Sequence, residues 1–414
     1  MFKFKGHKFV AVLLAMMLII SAVTGCSNTG SGDSKETAGT GNAAANKVVK
    51  VGIVTSKTGA LQAYGEQMIR GFQMGLECGT KGTGKVGDTE VQLIIEDSEN
   101  KPEVAKQKAV KLLEEDKIDI LVGCASSSDA LAIVPLAEEY QKVMVVEPAV
   151  ADAITGANWN RYIFRTGRNS SQDAAAAAAA IGKKGAKLGI FAPDSAFGHG
   201  GAEAFKAAAA KLGAEITFEA YPPAEATDFT AEIQKMIAAK PEAVYVIWAG
   251  ANSPWKAFMD QKVQEKGIRL STGAPDIAAL KTMWDNIGME GFCVYYHGLP
   301  KNEINDWLVN KTKEKYNTVP DLFDAGGFAA AMAIVTALEK TGGSADPEKL
   351  IPTMEGMSFD TPKGPMTFRK EDHQALQVIY SIKLEKHDGV DYPVPVLVRD
   401  MTPEETAPPI MNQK

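Results

Sequence analysis

From Lys47 onward, short apolar runs alternate with stretches whose apolar residues recur at helical spacing. That alternation restricts the chain to an α/β architecture. "VVKVGIVTS" is a valine-rich strand, and "YGEQMIRGFQMGLECG" is a helix that stops at glycine. "VQLIIED", "KPEVAKQKAVKLLEED", "IDILVG", "DALAIVPLAEEY" and "VMVVEP" continue the pattern as strand, helix, strand, helix, strand. Pro135 falls inside the last of these helices and is expected to kink it. Strands this short and this apolar belong to a parallel sheet covered by helices on both faces.

The pattern then restarts. "QDAAAAAAAIGKKG", "GGAEAFKAAAAKLG", "FTAEIQKMIAAK" and "PWKAFMDQKVQEKG" read as helices. "KLGIFAP", "AEITFEAYP", "AVYVIWAG" and "IRLSTG" read as the strands between them. No close sequence repeat links the halves, so the repetition is architectural. After "FCVYYHGL" come a long helix, "GFAAAMAIVTALEKTGG", and the strands "PMTFRK" and "QVIYSIKLEK". This tail has no obvious place in a third unit and is expected to be shared between the first two, with several crossings. The proline-rich end, "YPVPVLVRDMTPEETAPPIMNQK", reads as a strand followed by fraying.

The N-terminus concerns location. Lys3, Lys5 and Lys8 precede "FVAVLLAMMLII" and then "SAVTGC". A basic start, a short apolar run and small residues at the exit make residues 1–25 a secretory signal peptide. Val23-Thr24-Gly25-Cys26 resembles a bacterial lipobox, which implies lipidation of Cys26 and a membrane anchor. Residues 26–46 hold almost no large apolar side chain after that cysteine, so they read as a flexible tether reaching about 25 Å root-mean-square. The formal charge of −7 becomes −10 when those three lysines leave with the leader. An acidic chain argues against nucleic acid as a partner. Cys78, Cys124 and Cys293 remain, an odd and widely spaced set that forms no disulfide framework and no zinc motif. Cys124 and Cys293 read as buried small hydrophobes.

Three segments bear on chemistry. "GTKGTGK" (79–85) has phosphate-loop spacing, but Val86 stands where serine or threonine is needed, and the segment follows a helix instead of a strand. It reads as a glycine-rich helix exit. "VGCASSSDA" (122–130) joins a strand to a helix. A nucleophile there lacks the G-x-S-x-G signature, and His199, His297, His373 and His387 lie in no catalytic or metal motif. An anion seat is the simpler reading. Unpaired amides at the helix start, with serine hydroxyls beside them, suit a carboxylate or phosphate oxygen. One serine or Asp129 also serves as an ordinary N-cap. No lysine or arginine is adjacent in sequence, which favours the singly charged carboxylate.

From about residue 48 to about 395 the chain resembles the leucine/isoleucine/valine-binding family of ABC-transporter substrate-binding proteins. "VKVGIVTSKTGALQAYG", "IIEDSENKPEVAKQKAVKLLEEDKIDILVGCASSSDALAIVPLAEE", "YIFRTGRNSSQDAAA", "PDSAFGHGGAEAF", "ATDFTAEIQKM" and "LFDAGGFAAAMAIVTALEKTGG" stand in family order. The resemblance implies a type I periplasmic-binding fold, two doubly wound parallel-sheet lobes joined by a three-crossover hinge. The expected lobes are 47–168 with 298–370, and 169–297 with 371–400. It implies a monomeric, lipid-anchored, extracytoplasmic binding protein, not an enzyme, with no cofactor or metal. Such a protein delivers an amino acid or related organic acid to permease subunits, or serves as the sensing module of a membrane receptor.

By motif, Ser127 would hydrogen-bond the ligand carboxylate, with Ser126 and Ser128 beside it. Tyr64 would lie over the ligand. Ala149 would offer its carbonyl to an ammonium, and Ala151 its N–H to the carboxylate, although a hydroxyl residue is usual at that place. Phe197 stands where tyrosine is usual. Trp248 and Asn252 are candidates for a wall from the second lobe. Asp276 would pair with an ammonium, with Pro275 as the alternative in register. Glu147 is a second polar contact or a strand-end carboxylate facing water. The lost hydroxyls at 151 and 197 make the expected site more apolar, suited to an aliphatic or aromatic acid.

Overall fold

The computed structural model describes residues 47–412, apart from Ala251, Ala274 and Asp285. The signal peptide, Cys26 and the tether lie outside the described residues.

The first sheet contains β1 (Lys47–Thr55), β2 (Lys85–Val86), β3 (Thr89–Asp97), β4 (Ile120–Gly123), β5 (Val143–Val146) and β6 (Ile163–Arg165). Their order is β2-β3-β1-β4-β5-β6, and only the β2–β3 pairing is antiparallel. Every residue of β4 and β5 is buried, as expected where helices cover both faces of a parallel sheet. The covering helices include α1 (Gln62–Gly79), α2 (Pro102–Glu114) and α3 (Ser127–Glu139), which runs through Pro135.

The second sheet is wholly parallel. It contains β7 (Lys187–Phe191), β8 (Glu215–Ala220), β9 (Ala243–Val246) and β10 (Arg269–Ser271), in the order β10-β9-β7-β8. Its helices are α4 (Ser170–Ile181), α5 (Ala196–Lys211), α6 (Thr230–Ala239), α7 (Trp255–Asp260) and α8 (Ile277–Lys281). The expected long helix over 254–267 breaks after Asp260. Lys262 adopts φ +54°, and only a short 3₁₀ turn, Gln264–Lys266, follows.

The remaining elements are β11 (Glu290–Cys293), α9 (Glu303–Tyr316), α10 (Leu322–Lys340), α11 (Pro347–Met354), β12 (Ser358–Thr361), β13 (Gly364–Phe368), β14 (Ala375–Leu376), β15 (Ile379–Glu385) and β16 (Val394–Met401). They are divided between the two cores. Phe323, Phe328, Leu338, Phe359, Phe368 and Ala375 join the core of the first sheet, while Phe292, Cys293, Ile379, Ile382 and Met401 join those of the second. The chain therefore passes between cores three times: at 166–170, after Cys293, and between Ala375 and Ile379. This is the two-lobed, three-crossover arrangement. The third passage falls beyond the expected residue 370, because β14 still pairs with β13.

Helix α10 is long and apolar enough to cross a membrane, yet 83% of that window is buried within the protein. It packs on α1 at near-backbone contact. A Cβ at Gly71 would lie 1.9 Å from the Asp324 carbonyl oxygen, and one at Gly327 would lie 2.0 Å from that of Met68. The 79–85 segment is a helix exit, with Lys81, Gly82 and Gly84 at positive φ. Cys124 and Cys293 are buried. The C-terminus does not fray as expected. Thr406 is fully buried, Arg369 Nη1 donates to the Pro408 carbonyl at 2.8 Å, and Asn412 Nδ2 donates to the Glu371 carbonyl at 2.7 Å.

Candidate ligand-binding site

The carboxyl ends of β4 and β5 lead into the segments that begin the site, as open α/β sheets dispose. Ser126 is the N-cap of α3, and its Oγ accepts the Asp129 N–H at 3.3 Å. Ser127 has a different task. It is buried, and its Oγ accepts the N–H groups of Val150 at 3.3 Å and Ala151 at 3.2 Å. Those two bonds fasten the loop after β5 to the start of α3. They also occupy both acceptor positions of the hydroxyl, so its proton is left to donate. Ser128 borders the same space.

These residues line a cavity of ≈ 410 Å³ that takes walls from both halves of the chain. From the first core come Tyr64, Ser126, Ser127, Ser128, Pro148, Ala149, Val150 and Phe323. From the second come Pro193, Ser195, Phe197, Trp248, Asn252 and Pro275. The volume is that of a small-molecule pocket. Ser195 N-caps α5, accepting the Gly198 N–H at 3.2 Å, so a second helix start meets the cavity. Both helix ends favour negative charge there.

The walls are aromatic and proline-rich. The Tyr64 and Phe323 rings lie 4.0 Å apart, and Trp248 stands edge-on to Phe229 at 5.2 Å. The Trp248 indole N–H donates to the Asn252 carbonyl. Two bonds connect the cores beside the cavity. Gly250 N–H donates to the Tyr64 hydroxyl at 3.1 Å, and Ile277 N–H donates to Asp321 Oδ2 at 2.9 Å. Burial, then Asp276, pushes the Tyr64 phenol well up. Burial likewise raises the Asp321 carboxyl to about 7, with Asp276 adding to the shift.

Of the residues singled out by sequence, Tyr64, Ser126, Ser127, Ser128, Ala149, Phe197, Trp248 and Asn252 all border the cavity. Three do not. Ala151 donates its N–H to Ser127 Oγ, and its carbonyl accepts from Arg165 Nη1 at 2.7 Å. Its N–H is therefore spent inside the protein. Glu147 is buried and accepts from Thr166 Oγ1 at 2.9 Å; a Cβ on Gly326 would lie 2.2 Å from its Oε1. It faces α10 and neither the cavity nor water. Asp276 is buried off the cavity, and the neighbouring Pro275 takes the place on the wall.

Sequence reasoning missed Pro148, Val150, Arg168, Pro193, Ser195 and Phe323. Pro148 and Val150 flank the alanine it did choose. Ser195, ahead of "AFGHGG", carried a legible capping signal. Phe323 comes from the tail, 259 positions after Tyr64, and no local pattern links them.

Two parallel-sheet lobes, three crossings and a cavity between them define a bilobal solute-binding protein of the type I periplasmic-binding fold. The chain belongs to the periplasmic binding protein family, which residues 48–389 match. Membership places it outside the cytoplasm, among proteins that bind solutes and catalyse nothing. It is 48% identical to an ABC-type branched-chain amino acid transporter protein of Rhodopseudomonas palustris CGA009. That match covers 88% of this chain and all of the other, with TM-score 0.77. A solute-binding protein of an ABC transporter from R. palustris BisB5, solved with 3,4-dihydroxybenzoic acid, is 27% identical over 86% of this chain and 97% of its own, with TM-score 0.76. The Leu/Ile/Val-binding protein homolog 6 of Brucella abortus strain 2308 is 25% identical over 365 residues, 85% of this chain and 91% of its own.

Proposed function

We propose that this protein captures a small carboxylate-bearing solute, an amino acid or a related aliphatic or aromatic organic acid, and delivers it to ABC-transporter permease subunits. The carrying observation is the Ser127 hydroxyl. Its oxygen is saturated by two backbone N–H groups, its proton is left to donate, and it borders a cavity that two helix N-termini approach. The relatives support the class of ligand, one being named for leucine, isoleucine and valine and one holding an aromatic acid. A thermal-shift screen with amino acids and small carboxylic acids tests the reading. A ligand at 100 times its dissociation constant adds about 2.7 kcal/mol to a protein that binds it only when folded. A panel that leaves the melting point unmoved would remove the carboxylate from the proposal.

The lobes divide at the three crossings, near residues 168, 294 and 376, and act as a monomer that closes on the ligand. The Gly250–Tyr64 and Ile277–Asp321 bonds are the links that opening would break. Ligand contacts from both lobes favour the closed form. Small-angle scattering is expected to show a smaller radius of gyration under saturating ligand; an unchanged radius would exclude hinge closure.

Lipidation at Cys26 holds the protein at the membrane. Cys26→Ser is expected to move it from the membrane fraction to the soluble extracytoplasmic fraction. A variant that still sediments with membranes would place the anchor elsewhere.

A further inference from the structure

Arg168 is the residue on the cavity wall that neither the serine seat nor the capping chemistry explains. It lies in the first crossing, between β6 and α4, and its side chain is 17% exposed. Its Nε donates to Asp173 Oδ1 at 3.2 Å, and no other hydrogen bond from Arg168 is found among the described residues. The η N–H groups thus have no protein acceptor where the side chain borders the cavity. Burial alone would weaken the charge, but the carboxylates of Asp173 and Glu147 outweigh it, and the guanidinium stays protonated.

Carboxylates are differently placed. Among the described residues, the acids that border the cavity are Asp194 and Glu225, both exposed, and Asp194 is engaged by His199 at 2.7 Å. Glu147 is held by Thr166, and Asp276 is off the wall. A ligand ammonium would meet no buried carboxylate and would share the cavity with a guanidinium. A buried charge without a partner is costly, and a like charge nearby adds to the cost. A carboxylate meets the reverse situation, since a guanidinium presents paired donors that match its geometry. Phe197, Trp248 and Phe323 supply flat apolar surface for the remainder of the ligand.

We infer that Arg168 is a specificity-determining residue that fits this cavity to a carboxylic acid without an amino group, with an aryl or alkyl body, in preference to a zwitterionic amino acid. The inference rests on the solute-capture reading and narrows its ligand.

Matched probes separate the two. Calorimetric titration compares 4-methylpentanoate with leucine, 3-phenylpropanoate with phenylalanine, and 4-hydroxybenzoate with its neutral amide, 4-hydroxybenzamide. Whichever of 4-methylpentanoate and 3-phenylpropanoate binds is expected to do so at least 10-fold more tightly than its amino acid, and 4-hydroxybenzoate more tightly than its amide. Arg168→Gln is expected to weaken the acids at least 10-fold and leave the amide unchanged, with Arg168→Lys recovering part of the loss; melting curves establish that each variant is folded. An amino acid that binds as tightly as its deaminated partner would overturn the inference and leave solute capture standing. Acid affinities unchanged in Arg168→Gln would overturn the role of Arg168. Failure of every carboxylate to bind would overturn both the inference and the carboxylate reading beneath it.

Discussion

Replacing Asp324 by alanine is expected to destabilise the protein by about 3 kcal/mol, the lower end of the range for breaking a buried ion pair. The Asp324 side chain is fully buried in the first turn of α10. Arg70 on α1 grips it with two bonds, Nε to Oδ1 at 2.7 Å and Nη2 to Oδ2 at 2.6 Å. The Asp321 N–H donates to Oδ2 at 2.8 Å, which completes the capping box of α10. Truncation leaves a guanidinium and a helix-end N–H without their acceptor. Arg70 is 27% exposed, so water recovers part of its solvation, which sets the expected cost at the low end. The effect should reach the ligand, because the same helix start carries Phe323 on the cavity wall and Asp321 at the Ile277 N–H. Urea unfolding checks the first part as a lower midpoint with an unchanged slope. A loss below about 1 kcal/mol, the scale of exposed ion pairs, would show that the pair does not hold α10 on α1.

The fold was legible because its signals are local. Strands such as "ILVG" and "VMVV" are apolar throughout, and helix exits such as Gly79 and Gly182 punctuate them. The failures involve distant contacts and backbone conformations that residue type does not announce. The chain end looked frayed because nothing near Pro408 announces Arg369, 39 positions earlier, which binds its carbonyl. The 254–267 helix looked continuous because a lysine at 262 gives no warning of its positive φ.

The site shows the same division. Helix-start chemistry marks "CASSS" as polar and poised for an anion, but it does not assign roles within the triplet. Ser126 caps the helix because it stands one residue before α3. Ser127 fastens a loop whose N–H groups lie 23 and 24 positions away. Glu147 and Asp276 illustrate the complementary limit. Each sits beside a cavity-lining proline, and the direction of a side chain at a strand end or loop depends on backbone geometry that composition does not encode.

Ser127→Ala separates these roles most sharply. Its hydroxyl proton is expected to go to the ligand carboxylate, and hydrogen bonds to charged groups contribute about 1.5–3 kcal/mol. Affinity should therefore fall about 10- to 150-fold. Stability should fall as well, by about 1–3 kcal/mol, because the Val150 and Ala151 N–H groups lose the acceptor they share in a buried setting. That second loss was not expected from sequence, where capping was the only structural work assigned to the serines. Ser126→Ala provides the contrast. It removes the bond from Asp129 N–H and should cost about 1 kcal/mol of stability while leaving most of the affinity. Calorimetry with the tightest-binding acid of the screening panel and a denaturation curve on each variant give the four numbers required. If Ser127→Ala binds that acid with wild-type affinity and is only less stable, the hydroxyl is a loop fastener alone, and the carboxylate seat must be built from Arg168 and the helix amides without it.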